Sequence, residues 1–556
     1  MIRPEQNSPA TESALPAHTN STPSNLRPLA LLFVFALAIR LVHVAAMTAS
    51  PYFTNPVIDA AEYDRIGWAI AHGQGHPDKV FWHPPGYPYF LGAIWTVAGD
   101  SYLAPRLVQA LLGAFSAVLV AWIGRRLFGR AVGLGAGIAA ALYGLLIYFD
   151  GELLAPTLTI ACILLSVALG LSAKDAGRRS LWVAAGAAGG IATVTVVPSI
   201  VVPLCLAGFA GRRAGWAVLG LAMVVAPATA RNVVRGAEFV PISYNGGVNF
   251  WLGNNPSYDQ MVGIRPDVEW ARLVGEPASA GVRGKGAESS YFVRKAMRWA
   301  REHPVDFALL QAHKLRLLLS GQEIYRNQAI YPARATSPVL WLLLWKIPGL
   351  AFPFGLLMPL AAVGLWVGAR RALLLVAVVA GLAATVVAFF VTARYRVVMV
   401  PFLLIFAAVG ARWFVEEANR TARLVAGSAA LLLFFLANLG QGPMDMRMNA
   451  DAEYNLGLRL GERGHVREAA AFFESAVSSR PGYAAAWLNL CACYDQLGRP
   501  DDAQGAMDKA LKADAEDTVA NMTAFVRTAR PEVAARLGKY IRRAAARQLG
   551  VPEPSP

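Results

Sequence analysis

The sequence is poor in charged residues and in cysteine. Of its 556 residues only 16% are charged, whereas a soluble protein of this length carries about 25%. This deficit excludes an ordinary soluble enzyme for most of the chain. There are four cysteines, and their positions match neither a disulfide framework nor a zinc-binding spacing.

A basic stripe with interleaved aromatic residues is also absent, although the net charge is +15. Such a stripe is the usual mark of nucleic-acid binding. Here lysine and arginine occur mainly in short loops between apolar segments, as in the cytoplasmic loops of membrane proteins. We therefore expect no nucleic-acid partner.

Long apolar runs are what the sequence has instead, with 56% hydrophobic residues overall. A membrane-spanning helix needs about 17 to 25 such residues. The fold class predicted is all-α, a polytopic membrane helix bundle of about eleven spans followed by a soluble helical domain. The predicted spans are 28–48, 102–124, 131–149, 154–172, 181–196, 197–210, 214–230, 348–368, 372–391, 397–415 and 422–440.

The chain is predicted to have three parts. Residues 1–27 are polar and rich in Pro, Ser and Thr, which predicts a disordered tail. No convincing cleavage site follows the first apolar run, so we expect an uncleaved first span. Residues 28–440 form the membrane domain, and 441–556 form a soluble domain.

Short-loop charge orients the bundle. Alternating spans place thirteen basic residues on one face, which must be the cytoplasm: Arg125, Arg126, Arg130, Lys174, Arg178, Arg179, Arg212, Arg213, Arg370, Arg371, Arg412, Arg420 and Arg423. The outer face then receives 49–101, 149–153, 231–347, 392–396 and the soluble domain. The prediction is a cytoplasmic N-terminus and a periplasmic C-terminal domain in a bacterial inner membrane.

The soluble domain repeats itself at an offset of 34 residues, so that Asn455 aligns with Asn489 and Gly464 with Gly498. This pattern resembles the tetratricopeptide repeat. Two repeats and a helical segment, 518–549, predict a short solenoid, which we call the repeat domain. It is either a structural cap or a groove for a protein or peptide partner.

Acidic residues stand just outside the first span, in the run Asp59-Ala-Ala-Glu-Tyr63. A carboxylate at the outer face can act as a catalytic base if it lies within about 3 Å of the group that it deprotonates. The same spacing also fits a capping box, in which Asp59 and Glu62 would bond to backbone N–H groups.

The run containing Asp59, together with Ala69-Ile-Ala-His-Gly73 and His83-Pro-Pro-Gly-Tyr-Pro-Tyr-Phe-Leu91, resembles the first outer loop of the GT-C membrane glycosyltransferases. The similarity is greatest to the bacterial branch that is protein-mannosyltransferase-like and aminoarabinose-transferase-like, which includes members with C-terminal tetratricopeptide repeats. The resemblance extends over roughly 28–556. Other similar segments are Gln109–Gly113, Arg125–Gly129, Tyr148–Leu153, Arg231–Asn232, Asn245–Asn255 and Arg394–Arg396.

The resemblance implies an enzyme that takes a sugar from a polyprenyl-phosphate donor and inverts its anomeric carbon, with Asp59 as base. Asp150 and Glu152 match the family's second acidic site, which orients the acceptor or holds a metal; the alternative is a hydrated turn. His83, Glu62 and Tyr63 are further acceptor-site or metal-site candidates. The sequence has no clean ligand spacing, so a divalent metal stays open and no other cofactor is implied.

Three arginines are candidates for the donor phosphate. Arg231 ends the seventh predicted span, and Arg394 and Arg396 lie in a short outer turn, against the usual charge bias. Arginine suits bidentate phosphate contacts, although snorkelling to lipid headgroups is an alternative. Arg40 and His43, inside the first span, are expected to face the bundle interior.

A segment rich in asparagine and glycine is the candidate sugar or acceptor loop. Amides and an aromatic face suit sugar hydroxyls and C–H groups, although such runs also simply form turns. The candidate residues are Asn245, Asn249, Trp251, Asn254 and Asn255. Before the eighth span, Glu323, Tyr325 and Asn327 could close over the site.

The functional expectation is therefore an inverting glycosyltransferase at the outer membrane face, with a polyprenyl-phosphate sugar, membrane lipid and a protein bound through the repeat domain as partners. A lipid-linked-sugar flippase is one alternative, although it would need charged residues at mid-membrane depth. The other is a non-catalytic scaffold that presents the repeat domain.

Overall fold

The computed structural model describes residues 26–262, 264, 268–326, 330–440, 450–513, 531–549 and 552. Within them the chain is almost entirely helical, with one antiparallel hairpin of β1 (Trp345–Ile347) and β2 (Leu350–Phe352). The all-α prediction is confirmed. Nearly all of the predicted tail, Asn327, and the first part of segment 518–549 lie outside the described residues.

The first part of the membrane domain contains ten helices, separated in places by single turns of 3₁₀ helix. They are α1 (Arg27–Met47), α2 (Asp59–Ala71), α3 (Gly86–Ala98), α4 (Leu103–Phe128), α5 (Arg130–Ala141), α6 (Gly144–Gly151), α7 (Pro156–Ala176), α8 (Arg179–Thr195), α9 (Val201–Ala210) and α10 (Ala214–Gly236).

Six short or amphipathic helices follow, and then five that complete the bundle. The former are α11 (Gly246–Gly253), α12 (Tyr258–Val262), α13 (Val268–Ser279), α14 (Lys285–Glu302), α15 (Pro304–Leu319) and α16 (Pro338–Leu343). The latter are α17 (Phe354–Gly368), α18 (Leu373–Ala388), α19 (Ala393–Arg396), α20 (Val400–Glu416) and α21 (Arg420–Asn438).

A helix lies at each predicted span, but the helices differ in length. Among the described residues, six are long and apolar enough to cross a membrane, or seven if α5 and α6, bent by 50° at their junction, form one span. One of the six is the run Val197–Gly236, which the sequence divides into two predicted spans. The figure of eleven spans therefore stays a prediction.

Small residues set the spacing inside the bundle. Between α17 and α20, a Cβ atom on Gly364 would overlap the backbone at Phe406, and one on Gly410 would overlap the backbone at Leu360. Close backbone approach at glycine is typical of helix packing in membranes, where shape complementarity rather than water exclusion drives association. Conversely, the apolar windows of α1 and α21 are only 28% and 17% buried, which leaves their apolar sides for lipid.

In its described residues the repeat domain contains α22 (Ala450–Glu462), α23 (Val466–Ser479), α24 (Ala484–Gln496), α25 (Pro500–Ala513) and α26 (Pro531–Leu549). Gly464 and Gly498 lie in the turns inside the two helix pairs and adopt φ of 84° and 71°, a conformation that favours glycine. The predicted pair of repeats is confirmed. Its core also includes Val57, from the segment before α2.

Candidate active site at the start of α2

Asp59 lies at the first position of α2 and faces α19. Its carboxylate accepts a hydrogen bond from Nη1 of Arg394 at 2.5 Å, and the two side chains are 21% and 16% exposed. Glu62 instead pairs with Arg65 at 2.6 Å. Within the described residues neither carboxylate caps the start of α2, so the capping-box alternative is wrong.

Aromatic and amide groups surround this ion pair. Tyr63, one turn along α2, packs edge-to-face against the rings of His83 and Tyr87, with centroid distances of 5.5 Å and 5.2 Å. The Nδ2 atom of Asn245 lies 3.4 Å from Nδ1 of His83. Thus residues from α2, from the loop before α3 and from the start of α11 meet beside Asp59.

Electrostatics keep Asp59 ionised. Burial alone would raise its pKa, but the guanidinium groups of Arg394 and Arg326 act in the opposite direction and hold the pKa of this carboxyl well below its usual range. Burial lowers the pKa of His83, with a contribution from Arg394, which favours the neutral imidazole. The site therefore combines a carboxylate, a neutral imidazole and guanidinium groups.

Arg326 is a site residue that the sequence reasoning missed. Its guanidinium lies over the ring of Phe390 at 4.7 Å, and its charge acts on Asp59. Its position directly after Tyr325, one of the residues expected to close over the site, was the available signal.

Arg231 contacts the loop between α2 and α3. Its guanidinium donates to the backbone carbonyls of His76, Asp78 and Lys79 at 3.1, 2.6 and 3.3 Å and lies over the ring of Phe81. The structure therefore assigns it to holding the loop between α2 and α3, and does not bring it to the Asp59–Arg394 pair.

Asn232 forms, with Arg231, the anchor of the loop between α2 and α3. The side chain is fully buried; its Oδ1 accepts from the backbone N–H of Phe81 and its Nδ2 donates to the carbonyls of Val240 and Ile242. The Arg231–Asn232 pair thus joins the two loops that supply His83 and Asn245.

Asn232→Ala should lower the free energy of unfolding by about 2 kcal/mol, because it leaves buried backbone groups without partners. Thermal denaturation of the purified protein in detergent measures the loss. Arg235→Ala, an exposed change one turn along α10, is the control and should melt with the wild type. An unchanged melting temperature for Asn232→Ala would contradict the anchor.

Arg396, the third predicted phosphate ligand, is also away from the site. It is buried, pairs with Glu323 at 2.7 Å, and donates to the carbonyls of Ser320 and Gln322. A guanidinium held in this way joins α19 to the segment after α15. The phosphate role predicted for Arg396, and the closing role predicted for Glu323, are not supported by their positions.

Asp150 and Glu152 are buried, at 3% and 7% exposure, so the hydrated-turn alternative is wrong. The carboxylate of Asp150 accepts from Nε of Arg40 at 2.6 Å and from Oγ1 of Thr157 at 2.8 Å. Arg40 therefore faces the interior, as expected, and so does His43, which bonds to Ser337.

Asp150 and Glu152, which we call the Asp150 corner, contact the residues around Asp59 through their backbone. Gln109 donates to the carbonyls of Asp150 and Glu152 and accepts from the hydroxyl of Tyr87. In the part of the chain that the structure describes, no group of three or more His, Cys, Asp or Glu side chains could hold a metal ion. The arrangement supports a positioning role for the corner.

Most of the predicted sugar loop folds as α11. Asn254 and Asn255 are buried, and their amides donate to the carbonyls of Phe250, Ala388, Trp251 and Leu252. Trp251 lies under the ammonium of Lys295 at 4.5 Å, and Asn249 is half-buried on the same helix. Of the five candidates, Asn245 is the one that the structure brings to His83.

Lys314 is a buried residue that the sequence reasoning did not find. Its Nζ donates to the carbonyls of Gly253 and Phe389 and to Oδ1 of Asn254 at 3.0, 3.3 and 3.1 Å. These acceptors lie at the ends of α11 and α18, where carbonyl groups lack partners within the helix. Burial lowers the pKa of Lys314 to about 7.

Replacing Lys314 should therefore alter how stability depends on pH. A lysine whose folded pKa is lowered binds fewer protons in the folded than in the unfolded chain between pH 7 and about 10.4, so its contribution to stability rises with pH there. The difference in melting temperature between wild type and Lys314→Met should increase over this range. Lys79→Met, at an exposed position, is the control; parallel curves would contradict the burial effect.

Two parts of the chain match known protein families. Residues 82–226 match the family model described as dolichyl-phosphate-mannose-protein mannosyltransferase. The resemblance to membrane glycosyltransferases is confirmed. Residues 462–524 match the tetratricopeptide repeat. No curated protein matches this chain.

Solved structures show distant similarity to this chain. The apo oligosaccharyltransferase of Archaeoglobus fulgidus aligns with a TM-score of 0.40 and 14% identity over 77% of this chain and 57% of its own. ArnT of Cupriavidus metallidurans, bound to undecaprenyl phosphate, aligns with a TM-score of 0.39 and 15% identity over 90% of this chain and 79% of its own. This chain thus spans less than two thirds of the oligosaccharyltransferase, and similarity this weak assigns no substrate.

The mannosyltransferase match includes part of the site only. It begins at Trp82 and so contains His83, Gln109 and the Asp150 corner. Asp59 precedes the match and Arg394 follows it. The roles proposed for these two residues therefore rest on their geometry.

Proposed function

We propose that this protein is an inverting glycosyltransferase that moves a sugar from a polyprenyl-phosphate donor to an acceptor at the outer face of a bacterial inner membrane. The observation that carries the proposal is the ion pair between Asp59 and Arg394, partly open to solvent and next to the mannosyltransferase-like segment. One contact supplies both a candidate base and a cation for the donor phosphate.

The donor phosphate would compete with Asp59 for Arg394. A guanidinium binds phosphate through two parallel hydrogen bonds, so a bound donor can take over this side chain. Asp59 would then lose its main cationic partner, and burial would raise its pKa toward that of a useful base. Donor binding would thus prepare the base for the acceptor.

The transfer itself needs one proton acceptor and one stabilised leaving group. The acceptor hydroxyl or amine gives its proton to Asp59, and its heteroatom bonds to the anomeric carbon from the face opposite the phosphate. The bond between the anomeric carbon and the phosphate oxygen breaks, and its electron pair leaves with the phosphate. Arg394 and Arg326 stabilise that charge.

The side of the membrane on which the site lies and the partners of the protein are also part of the proposal. The basic short loops support an outer-face location for α2 and the repeat domain. The donor named in the family description, a dolichyl-phosphate sugar, supports a polyprenyl phosphate here. The repeat domain supports a protein partner or acceptor.

Mass spectrometry of surface glycans and glycoproteins from a deletion strain tests the proposal. A sugar that is missing in the deletion strain, and restored by wild type but not by Asp59→Asn at matched protein level, supports transfer, and the missing mass names sugar and acceptor. Asp100→Asn, a change at a 59% exposed carboxylate in the same outer segment, is the matched control and should restore the sugar. Sugar trapped on inner-leaflet lipid would indicate the flippase, and unchanged glycans the scaffold.

A further inference from the structure

We infer that the repeat domain positions the proposed base: through Arg463, Arg459 and an apolar contact with residues 52–58, it holds the backbone that leads into Asp59. The inference rests on the proposed function of Asp59. It assigns the repeat domain a part in the site itself, in addition to any protein that the repeats bind.

The apolar part of this contact is continuous with the core of the repeats. Val57 is buried in the same cluster as Leu456 and Phe473, and Tyr52 and Ile58 pack against that cluster. The segment before α2 is therefore built into the repeat core. Movement of the repeats would carry this segment with it.

Two arginines of the repeat domain add a polar contact. Nη1 of Arg463 donates to the carbonyl of Thr54 at 2.7 Å and to Oδ1 of Asn55 at 2.8 Å, and Nη2 donates to the hydroxyl of Tyr102 at 3.3 Å. One side chain thus joins the repeats to the segment before α2 and to the residue before α4.

The second arginine reaches α2 itself. Arg459 lies 3.7 Å from the carboxylate of Asp64, which also accepts from the hydroxyl of Tyr102 at 3.2 Å. Asp64 lies five residues after Asp59 on the same helix. The repeats therefore contact the backbone before the base and the helix after it.

Between the apolar contact and the base lies a strained residue. Ile58 has φ 54° and ψ −122°, a region that a β-branched side chain rarely adopts and that persists only where the surroundings hold it. The repeat core lies on one side and the Asp59–Arg394 pair on the other. Because Ile58 is the residue from which α2 starts, its conformation sets where the Asp59 carboxylate points.

Release of the repeats would let Ile58 relax and would displace Asp59. A displacement of about 1 Å at a reacting group can cost about 100-fold in rate. A repeat domain that acts only as a cap would cause no such loss. A positioning role and a capping role therefore predict different hydrogen exchange at residues 51–66 when the contacts of Arg459 and Arg463 are removed.

The test compares full-length wild type, the double variant Arg459→Ala/Arg463→Ala, Asp59→Asn and the control Arg467→Ala in nanodiscs. Arg467 is exposed on α23 and lies outside the contact described above. The readouts in nanodiscs are hydrogen exchange of residues 51–66 and binding of undecaprenyl phosphate. The third readout is the amount of glycan that each protein restores in the deletion strain.

For the double variant we expect faster exchange at residues 51–66, unchanged exchange in the membrane helices, and a loss of about 10-fold to 100-fold in restored glycan. Undecaprenyl phosphate should still bind, because Arg394 is untouched and displacement of Asp59 removes a competitor for it. Arg463→Lys keeps a single hydrogen bond to the segment before α2, so its exchange rate and restored glycan should lie between those of wild type and the double variant. This variant tests the inference if the double variant does not fold. Arg467→Ala should behave as wild type.

If the double variant exchanges and restores glycan as wild type does, while Asp59→Asn is inactive, the inference is overturned and the proposed function stands. Full activity of Asp59→Asn would overturn the proposed function and, with it, the positioning of a base.

Discussion

Asp59→Asn protein is expected to lose about 10²-fold to 10⁴-fold of its transfer rate, the usual contribution of a general base. The amide has nearly the shape of the carboxylate, and its oxygen can still accept from Arg394. It cannot take a proton from the acceptor. The loss should therefore fall on turnover, with the protein still folded and inserted.

The amount of glycan restored in the deletion strain measures this effect. Once the missing mass names the donor, the transfer rate with that donor measures it directly. Asp59→Glu keeps the charge but moves the carboxylate by one methylene, so it should recover part of the rate. Asp100→Asn should match wild type. If Asp59→Asn transfers sugar at the wild-type rate, the ion pair with Arg394 is structural and Asp59 is not the base.

Arg394→Ala is expected to have the second largest effect, a loss of about 10²-fold to 10³-fold, which is typical when one stabilising donor is removed from a developing anion. The change removes both the proposed phosphate ligand and the partner of Asp59. Arg394→Lys should recover only part of the rate, because an ammonium lacks the two parallel donors of guanidinium.

The pH profile separates these two functions of Arg394. In wild type the pKa of Asp59 lies well below its usual range, and without Arg394 the effect of burial is opposed less strongly, so the pKa rises. A base works only when deprotonated, and kcat/KM for the donor reports the free enzyme, in which wild type keeps the ion pair. For Arg394→Ala, kcat/KM should therefore fall as the pH falls through this raised pKa, at a pH where the wild-type value is unchanged. Parallel acid limbs in the two proteins would contradict the electrostatic link.

The same ion pair has a predictable effect on stability. A carboxyl whose folded pKa is depressed stabilises the protein above its ordinary pKa, and this contribution is lost as the pH falls through the folded pKa. Across neutral and mildly acidic pH the pair should therefore stay intact in wild type. In Arg394→Ala, where the folded pKa of Asp59 is raised, the unpaired buried carboxylate should lower the melting temperature at neutral pH, and part of this loss should be recovered as the pH falls through the raised pKa.

Asp59 and Arg394 are each recognisable in the sequence as candidates, but nothing in the sequence joins them. They are 335 residues apart, and an ion pair over such a distance depends on how α2 and α19 pack. Arg231 and Arg396 carried the same sequence signal as Arg394, a positive charge near an outer helix end. Their roles differ because backbone carbonyls and Glu323 surround them in the fold.

The asparagine-rich segment shows the same limit at shorter range. Its composition predicted a polar loop, yet α11 forms there and Asn254 and Asn255 satisfy backbone carbonyls at its end. The carbonyl of Ala388, which Asn254 also binds, belongs to α18. Composition alone cannot show which amides a distant helix end will use.

What the sequence determined by itself was local: apolar runs of spanning length, the charge of short loops and a 34-residue repeat with glycine at its turns. Each depends on residues within one or two helices, so each can be read without the fold. The tertiary structure alone decided which arginine meets Asp59, which polar groups are buried, and that the repeat core includes Val57. Those outcomes depend on contacts between distant segments, where burial and the nearest partner set the state of every charged group.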